Sequence, residues 1–296
     1  MKPIVADKPL TLIAAGCSHT QGCAFVKKRK HGNKVVWASQ ALKDKYKVKP
    51  DFSFITENLT YMGKLKKFLP IDKIVNFGYG GQGTDSTLRA INNYLIKTDS
   101  LTNHLFIIQL QEVWRNEIVY TFNKKTRMWT VKHFALINDE KEYSKLKKEF
   151  LTYLFHVKFE FAKYLRQLLY LQNIIEKLGG QVRIFFQPFY TPINYTFSEK
   201  KLIENLYYDY LTQGFEKKLQ KLHTLDELSN TLNIIENYSI GDDLMKYGTR
   251  PTLHNEGLLD NDHHLSEIGN EILAENLYKN INNKLTKSIF GEKALT

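Results

Sequence analysis

The sequence predicts an α/β protein, a parallel sheet with helices on both faces that carries a β-hairpin insertion and a helical insertion. Three observations predict it. Short apolar runs alternate with longer amphipathic stretches from the first strand to the last helix. Several of the apolar runs end in small or turn-forming residues, which suits strands that stop at a tight loop. Two stretches break the alternation, one patterned as a hairpin and one rich in Leu and Lys.

The elements follow in order. Residues 10–16, LTLIAAG, are apolar up to a glycine turn and read as the first, buried strand. Residues 54–69 repeat apolar side chains at Ile55, Leu59, Met62, Leu65 and Phe68, a helical spacing stopped by Pro70. Residues 73–77 make a second strand entering the turn GYGGQG, 78–83, after which Thr84 or Asp85 can cap a helix. Residues 105–110, LFIIQL, are the third strand. VYTFNKKTRMWTV, 119–131, alternates around Asn123 to Lys125 as a hairpin does. A long helix then runs from Leu154 to Leu178 and stops at Gly179 and Gly180. QVRIFFQPF, 181–189, is the fourth strand, residues 191–254 read as a mostly helical insertion, and residues 265–285 form the closing helix with Ser266 and Glu267 near its start.

The length of 296 residues, 43% hydrophobic and 25% charged, suits one domain over 1–296 with insertions at about 26–52, 112–140 and 191–255. No run approaches a membrane span: even the apolar segment 150–178 carries Lys158, Glu160, Lys163 and Arg166. The N-terminal apolar run is too short for a secretory signal, so a cytoplasmic or otherwise non-secreted protein is expected. The two cysteines, Cys17 and Cys23, form neither a disulfide framework nor a zinc-type pair. Much of the net charge of +11 comes from residues 26–50, where nine Lys or Arg face the single Asp44. Such a cluster, centred on Lys27, Lys28, Arg29 and Lys30, can meet a polyanion or can simply be a solvated loop.

In a parallel α/β sheet the chemistry gathers beyond the carboxyl ends of the strands. Three blocks with reactive side chains fall there. AGCSHTQG, 15–22, presents Ser18 and His19 after the first strand; NFGYGG, 76–81, carries Gly81 after the second; DNDHHLSEIG, 260–269, carries Asp262 to His264 before the last helix. Serine catalysis needs a hydroxyl on a turn, an imidazole to take its proton, a group to orient that imidazole, and donors for the oxyanion. These blocks contain such groups. His19, His254 and His263 with Asp260 and Asp262 have no regular ligand spacing, and neither a metal nor another cofactor is expected.

The three blocks resemble those of the SGNH, or GDSL-type, hydrolase superfamily of esterases, lipases and deacetylases. Gly16-Cys17-Ser18-His19-Thr20-Gln21-Gly22 matches its first block, Asn76 to Gly81 its second, and His264 with Gly269 its last. The resemblance implies a three-layer flavodoxin-like fold, Ser18 as nucleophile, His264 as base, and the N–H groups of Ser18 and Gly81 as oxyanion donors. Asp262 is the favoured orienting acid; Asn261 and Asp260 occupy neighbouring spacings. The chain departs from the family pattern at Cys17, where an Asp is usual. It departs again after the third strand, where QLQEVWRNE, 109–117, replaces a Gly-x-Asn-Asp turn. Gln111 or Asn116 is then the candidate amide donor, and Arg115 and His19 are candidate substrate-binding residues.

The expected activity is hydrolysis of an O-acyl ester, preferably a small acyl group on carbohydrate. The rival expectation is an inactive member of the fold that serves as a binding or structural module, using its basic surface.

Overall fold

The computed structural model describes residues 4, 8–22, 25–28, 35–37, 45–47, 51–80, 83–111, 115–123, 128–135, 157–186, 231–235 and 265–283. Along the chain these form β1 (Leu10–Ala15), α1 (Ser18–Gln21), β2 (Val26–Lys28), β3 (Val35–Trp37), α2 (Phe52–Asn58), α3 (Tyr61–Leu65), β4 (Ile71–Asn76) and α4 (Thr84–Leu95). They continue as β5 (His104–Leu110), β6 (Arg115–Asn123), β7 (Met128–Ala135), α5 (Val157–Lys177), β8 (Gln181–Phe186) and α6 (Glu267–Asn280).

Apolar residues occupy nearly every position of β1 and β5, as a strand covered on both faces requires. They lie at the centre of a four-stranded sheet in the order β4-β1-β5-β8, all pairs parallel. Register sets which side chains share a face: Leu12 pairs with Leu105 and Ala14 with Ile107, while Ile13 pairs with Phe106 and Ala15 with Ile108. The Ile13 and Phe106 face packs on Leu88 and Ile91 of α4 and on Leu165 and Leu168 of α5. The opposite face packs on Tyr61, Met62 and Leu65 of α3 and on Leu273 and Leu277 of α6. Two helical layers therefore enclose one parallel sheet, the three-layer flavodoxin-like arrangement that the resemblance implies.

The long helix expected over 154–178 is α5, 157–177, and the closing helix expected over 265–285 is the shorter α6, 267–280. Gly179 ends α5 at φ +88°, and Ser266 caps α6 by accepting a bond from the Gly269 N–H. Other expectations need correction. The helix expected over 54–69 is two short helices, α2 and α3. A Cβ at Gly63 would collide with the carbonyl groups of Thr56 and Glu57, so α3 lies on the end of α2 rather than continuing it. Helix α4 is capped by Gly83 with no side-chain bond; Thr84 and Asp85 sit in its first turn.

Residues 231–235, assigned from the sequence to the helical insertion, belong to the sheet. Ile234 bridges Ile184 in parallel, with Ile184 N–H donating to Asn233 O and Ile235 N–H to Ile184 O. Leu232, Ile234 and Ile235 are fully buried. The segment supplies a short fifth position beside β8. The hairpin expected at 119–131 is the antiparallel pair β6 and β7, with Asn123 opposite Met128. The basic stretch contains a second small pair, β2 and β3. Among the described residues no helix is long and apolar enough to cross a membrane.

Candidate active site

From β1 the chain goes outward to β4, then back across to β5 and β8, so the order reverses between β1 and β5. The crevice beyond the carboxyl ends of those two strands is where such sheets place ligands. Ser18 follows β1 by three residues and Gln111 follows β5 directly. The reversal brings the Ser18 turn and the end of β5 to the same edge of the sheet, where Thr20 meets Gln109.

The Ser18 turn is held from below and from the side. Its floor is Gln109, the polar residue in the run LFIIQL and fully buried. The Thr20 hydroxyl donates to Gln109 Oε1 at 2.6 Å, and the Cys17 thiol approaches the same oxygen at 3.5 Å. Gly16 permits this contact: a Cβ there would stand 2.6 Å from Gln109 Oε1 and 2.8 Å from Gln109 Cβ, and would also collide with the Thr20 hydroxyl. Cys17 is fully buried, which places the thiol in the support of the turn. At the other end Gly22 closes the turn at φ +80°, a conformation that L side chains rarely adopt.

The side clamp comes from the second block. Asn76 donates through Nδ2 to the Thr20 carbonyl at 3.0 Å and to the Thr56 hydroxyl at 3.2 Å, while its Oδ1 accepts the Gly78 N–H at 2.8 Å. Gln21 Oε1 accepts the Gly80 N–H at 2.6 Å, and Tyr79 N–H donates to Gly16 O at 3.2 Å. Asn76 therefore acts as a fastener between the first two blocks, a role its spacing to Gly81 alone does not reveal. Ser18 itself is nearly buried, 8% exposed.

Gln111 is 3% exposed, and its amide is engaged. Its Nε2 donates to Gln109 O at 2.9 Å and to the Thr87 hydroxyl at 3.2 Å, and its Oε1 accepts from Thr84 at 3.2 Å. It is a strut between the end of β5 and the start of α4. Arg115 and Asn116, read from the sequence as loop residues, are the first rungs of β6, opposite Ala135 and Phe134.

His19 lies on α1, and Lys27 and Lys28 lie on β2. Gly81, Arg29, Lys30, His254, Asp260, Asn261, Asp262, His263 and His264 lie outside the described residues. The described chain resumes at Leu265, one peptide beyond His264. Among the described residues no group of His, Cys, Asp or Glu could hold a metal ion.

Sequence reading missed a further set of polar residues, Tyr61 and Asn270, on the α3 and α6 side of the sheet. Tyr61 OH lies 3.2 Å from the Thr20 hydroxyl, and Asn270 Oδ1 accepts the Tyr61 N–H at 2.9 Å. Burial pushes the Tyr61 phenol well above its ordinary value, the bond with Thr20 opposing, so it stays protonated. The signal that could have found this set is Gln109, a lone amide in an apolar strand that demands polar neighbours.

No family model matches the chain, and no curated protein matches it. Among solved structures it is similar in backbone path to a member of the lipolytic G-D-S-L family from Veillonella parvula. That likeness has a TM-score of 0.40 and 9% identity, over 93% of this chain and 99% of that one. It is similar also to a lipase from a goat rumen metagenome, with a TM-score of 0.40 and 14% identity over 91% of this chain and 96% of that one.

Proposed function

We propose that this protein is a serine ester hydrolase of the SGNH type, with Ser18 as its nucleophile. The observation that carries the reading is the double clamp on the Ser18 turn at the β1/β5 reversal, with Gln109 below it and Asn76 beside it. A turn fastened in this way holds a hydroxyl in one place, which nucleophilic catalysis requires.

In this mechanism His264, oriented by Asp262, takes the proton from Ser18 Oγ as that oxygen attacks the acyl carbonyl. The negative charge that develops on the carbonyl oxygen is met by the N–H groups of Ser18 and Gly81 and by a side-chain amide. Asn116 is the favoured amide, because Gln111 would have to leave Gln109 O or Thr87 to serve. Collapse of the tetrahedral adduct breaks the ester bond, and His264 returns the proton to the leaving alcohol. Water, deprotonated by the same imidazole, then releases the acid and restores Ser18. Small O-acyl groups, acetyl first, on a carbohydrate or another small alcohol are the proposed substrates.

A fluorophosphonate probe tests the reading. Wild-type protein is expected to label at one site, and Ser18→Ala to lose the label. Equal labelling of the two proteins, or none of either, would remove Ser18 from the mechanism. Among nitrophenyl esters, acetate is expected to be cleaved faster than octanoate; the reverse order would assign a lipase-like preference instead.

A further inference from the structure

A chain of buried hydrogen bonds joins the Ser18 turn to the segment that leads out of His264. Asn270 Nδ2 donates to Leu265 O at 3.1 Å and to Ser266 O at 2.9 Å. Its Oδ1 accepts the Tyr61 N–H at 2.9 Å. The Tyr61 hydroxyl then meets the Thr20 hydroxyl at 3.2 Å, and Thr20 donates to Gln109 Oε1 at 2.6 Å. A threonine hydroxyl has one proton, so when Thr20 gives it to Gln109, the Tyr61 O–H is the donor to Thr20. Thr20, Tyr61 and Gln109 are fully buried and Asn270 is 3% exposed.

Packing alone does not need this ladder. The Tyr61 ring makes an edge contact with Phe185 at 5.7 Å between centroids, which a phenylalanine would also make. The hydroxyl adds one directed bond, and that bond ends on the Ser18 turn. Buried directed bonds select one arrangement among those that apolar packing tolerates. Consecutive Cα atoms are about 3.8 Å apart, so anchoring the Leu265 carbonyl anchors the residue that follows the proposed base.

We propose that Tyr61 and Asn270 are positioning residues for ester hydrolysis, a buried ladder that sets the Ser18 turn in register with the chain emerging from His264. The inference rests on Ser18 being the nucleophile. Neither residue touches the substrate; both act through Thr20 and the Leu265–Ser266 peptide. Misplacement by about 1 Å can cost about a hundredfold in rate, so loss of one of the five bonds is expected to cost about tenfold.

The experiment compares wild type, Tyr61→Phe, Thr20→Val, Thr20→Ser and the Tyr61→Phe/Thr20→Val double variant in the full chain. The readouts are the fluorophosphonate labelling rate at Ser18 and kcat and KM for nitrophenyl acetate, each scaled to the folded fraction from circular dichroism. Tyr61→Phe is expected to lower labelling and kcat about tenfold with KM unchanged, and the double variant to fall no further than the lower single. Thr20→Ser, which keeps the hydroxyl, is expected to retain most of the rate that Thr20→Val loses. A Tyr61→Phe protein that labels at the wild-type rate overturns the positioning role while leaving Ser18 as nucleophile. Additive losses in the double variant, or a loss explained by the folded fraction, overturn it as well. A wild type that does not label overturns both readings together.

Discussion

Gly16 shows how a single missing methyl shapes the site. The backbone of the turn rests against Gln109 closely enough that a Cβ would stand 2.6 Å from its amide oxygen. Gly16→Ala must push apart the Thr20 and Gln109 pair, which also receives the Cys17 thiol. Urea unfolding of Gly16→Ala is expected to give a loss of about 2–4 kcal/mol, and labelling at Ser18 to fall with it. Wild-type stability in that variant would mean that the turn rests on β5 more loosely than these contacts imply. Gln109 is also a point of cost. Among the described residues no acceptor meets its Nε2, and an unmet buried donor costs roughly 1–3 kcal/mol.

Among the elements, α6 is tied to the rest of the fold at both of its ends. Its start is capped by Ser266 and tied through Asn270 to α3, while its last turn is tied to β8 by a buried charge. Arg183, 2% exposed, donates from Nε to Ile281 O at 2.5 Å and from Nη1 to Val182 O at 2.9 Å. Burial lowers its value to about 10, with the nearby Glu176 charge opposing, so the guanidinium remains charged at neutral pH. A cation at the carboxyl end of a helix also meets the negative end of its dipole. Arg183→Met keeps the apolar stem and removes the donors to the Ile281 and Val182 carbonyls. Its unfolding free energy is expected to drop by about 2–4 kcal/mol, read by urea denaturation. An unchanged midpoint would show that α6 is held by its apolar face alone.

At the scale of the whole molecule, Glu267 binds parts far apart in sequence. Its carboxylate receives Lys64 at 2.8 Å from α3, Lys45 at 2.9 Å, and the hydroxyl of Tyr46. Burial works to raise its value from the ordinary 4.5, and the bonds from Lys64, Tyr46 and Lys45 outweigh burial and lower it to about 2. A folded value below the unfolded one stabilises the fold fully above about pH 4.5, and the contribution is lost as pH falls from there toward 2. With screening of a partly exposed group, the loss is roughly 1–3 kcal/mol. Wild type is expected to lose stability between pH 4.5 and 2 more steeply than Glu267→Gln in thermal scans. Parallel curves for the two proteins would remove Glu267 from the acid response. The basic stretch thus donates at least one of its lysines, Lys45, to the pair with Glu267, which leaves that charge less free to meet a polyanion.

The sequence by itself determined the layer architecture, because strand and helix periods, glycine stops and the Ser266 cap are local properties that survive in any context. It also determined the order of the chemical blocks, since Ser18 follows one strand and Asn76 ends the next, and parallel strands bring those ends to one edge of the sheet. Only the tertiary structure decided how those blocks meet. That Asn76 fastens the Thr20 carbonyl, that Gln111 braces α4, and that residues 231–235 extend the sheet all depend on contacts between residues distant in sequence. The division of 54–69 into two helices was hidden for the same reason: Gly63 is unremarkable until the end of α2 packs against it. Periodicity reports which face of an element is buried, and it carries no record of the partner that buries it.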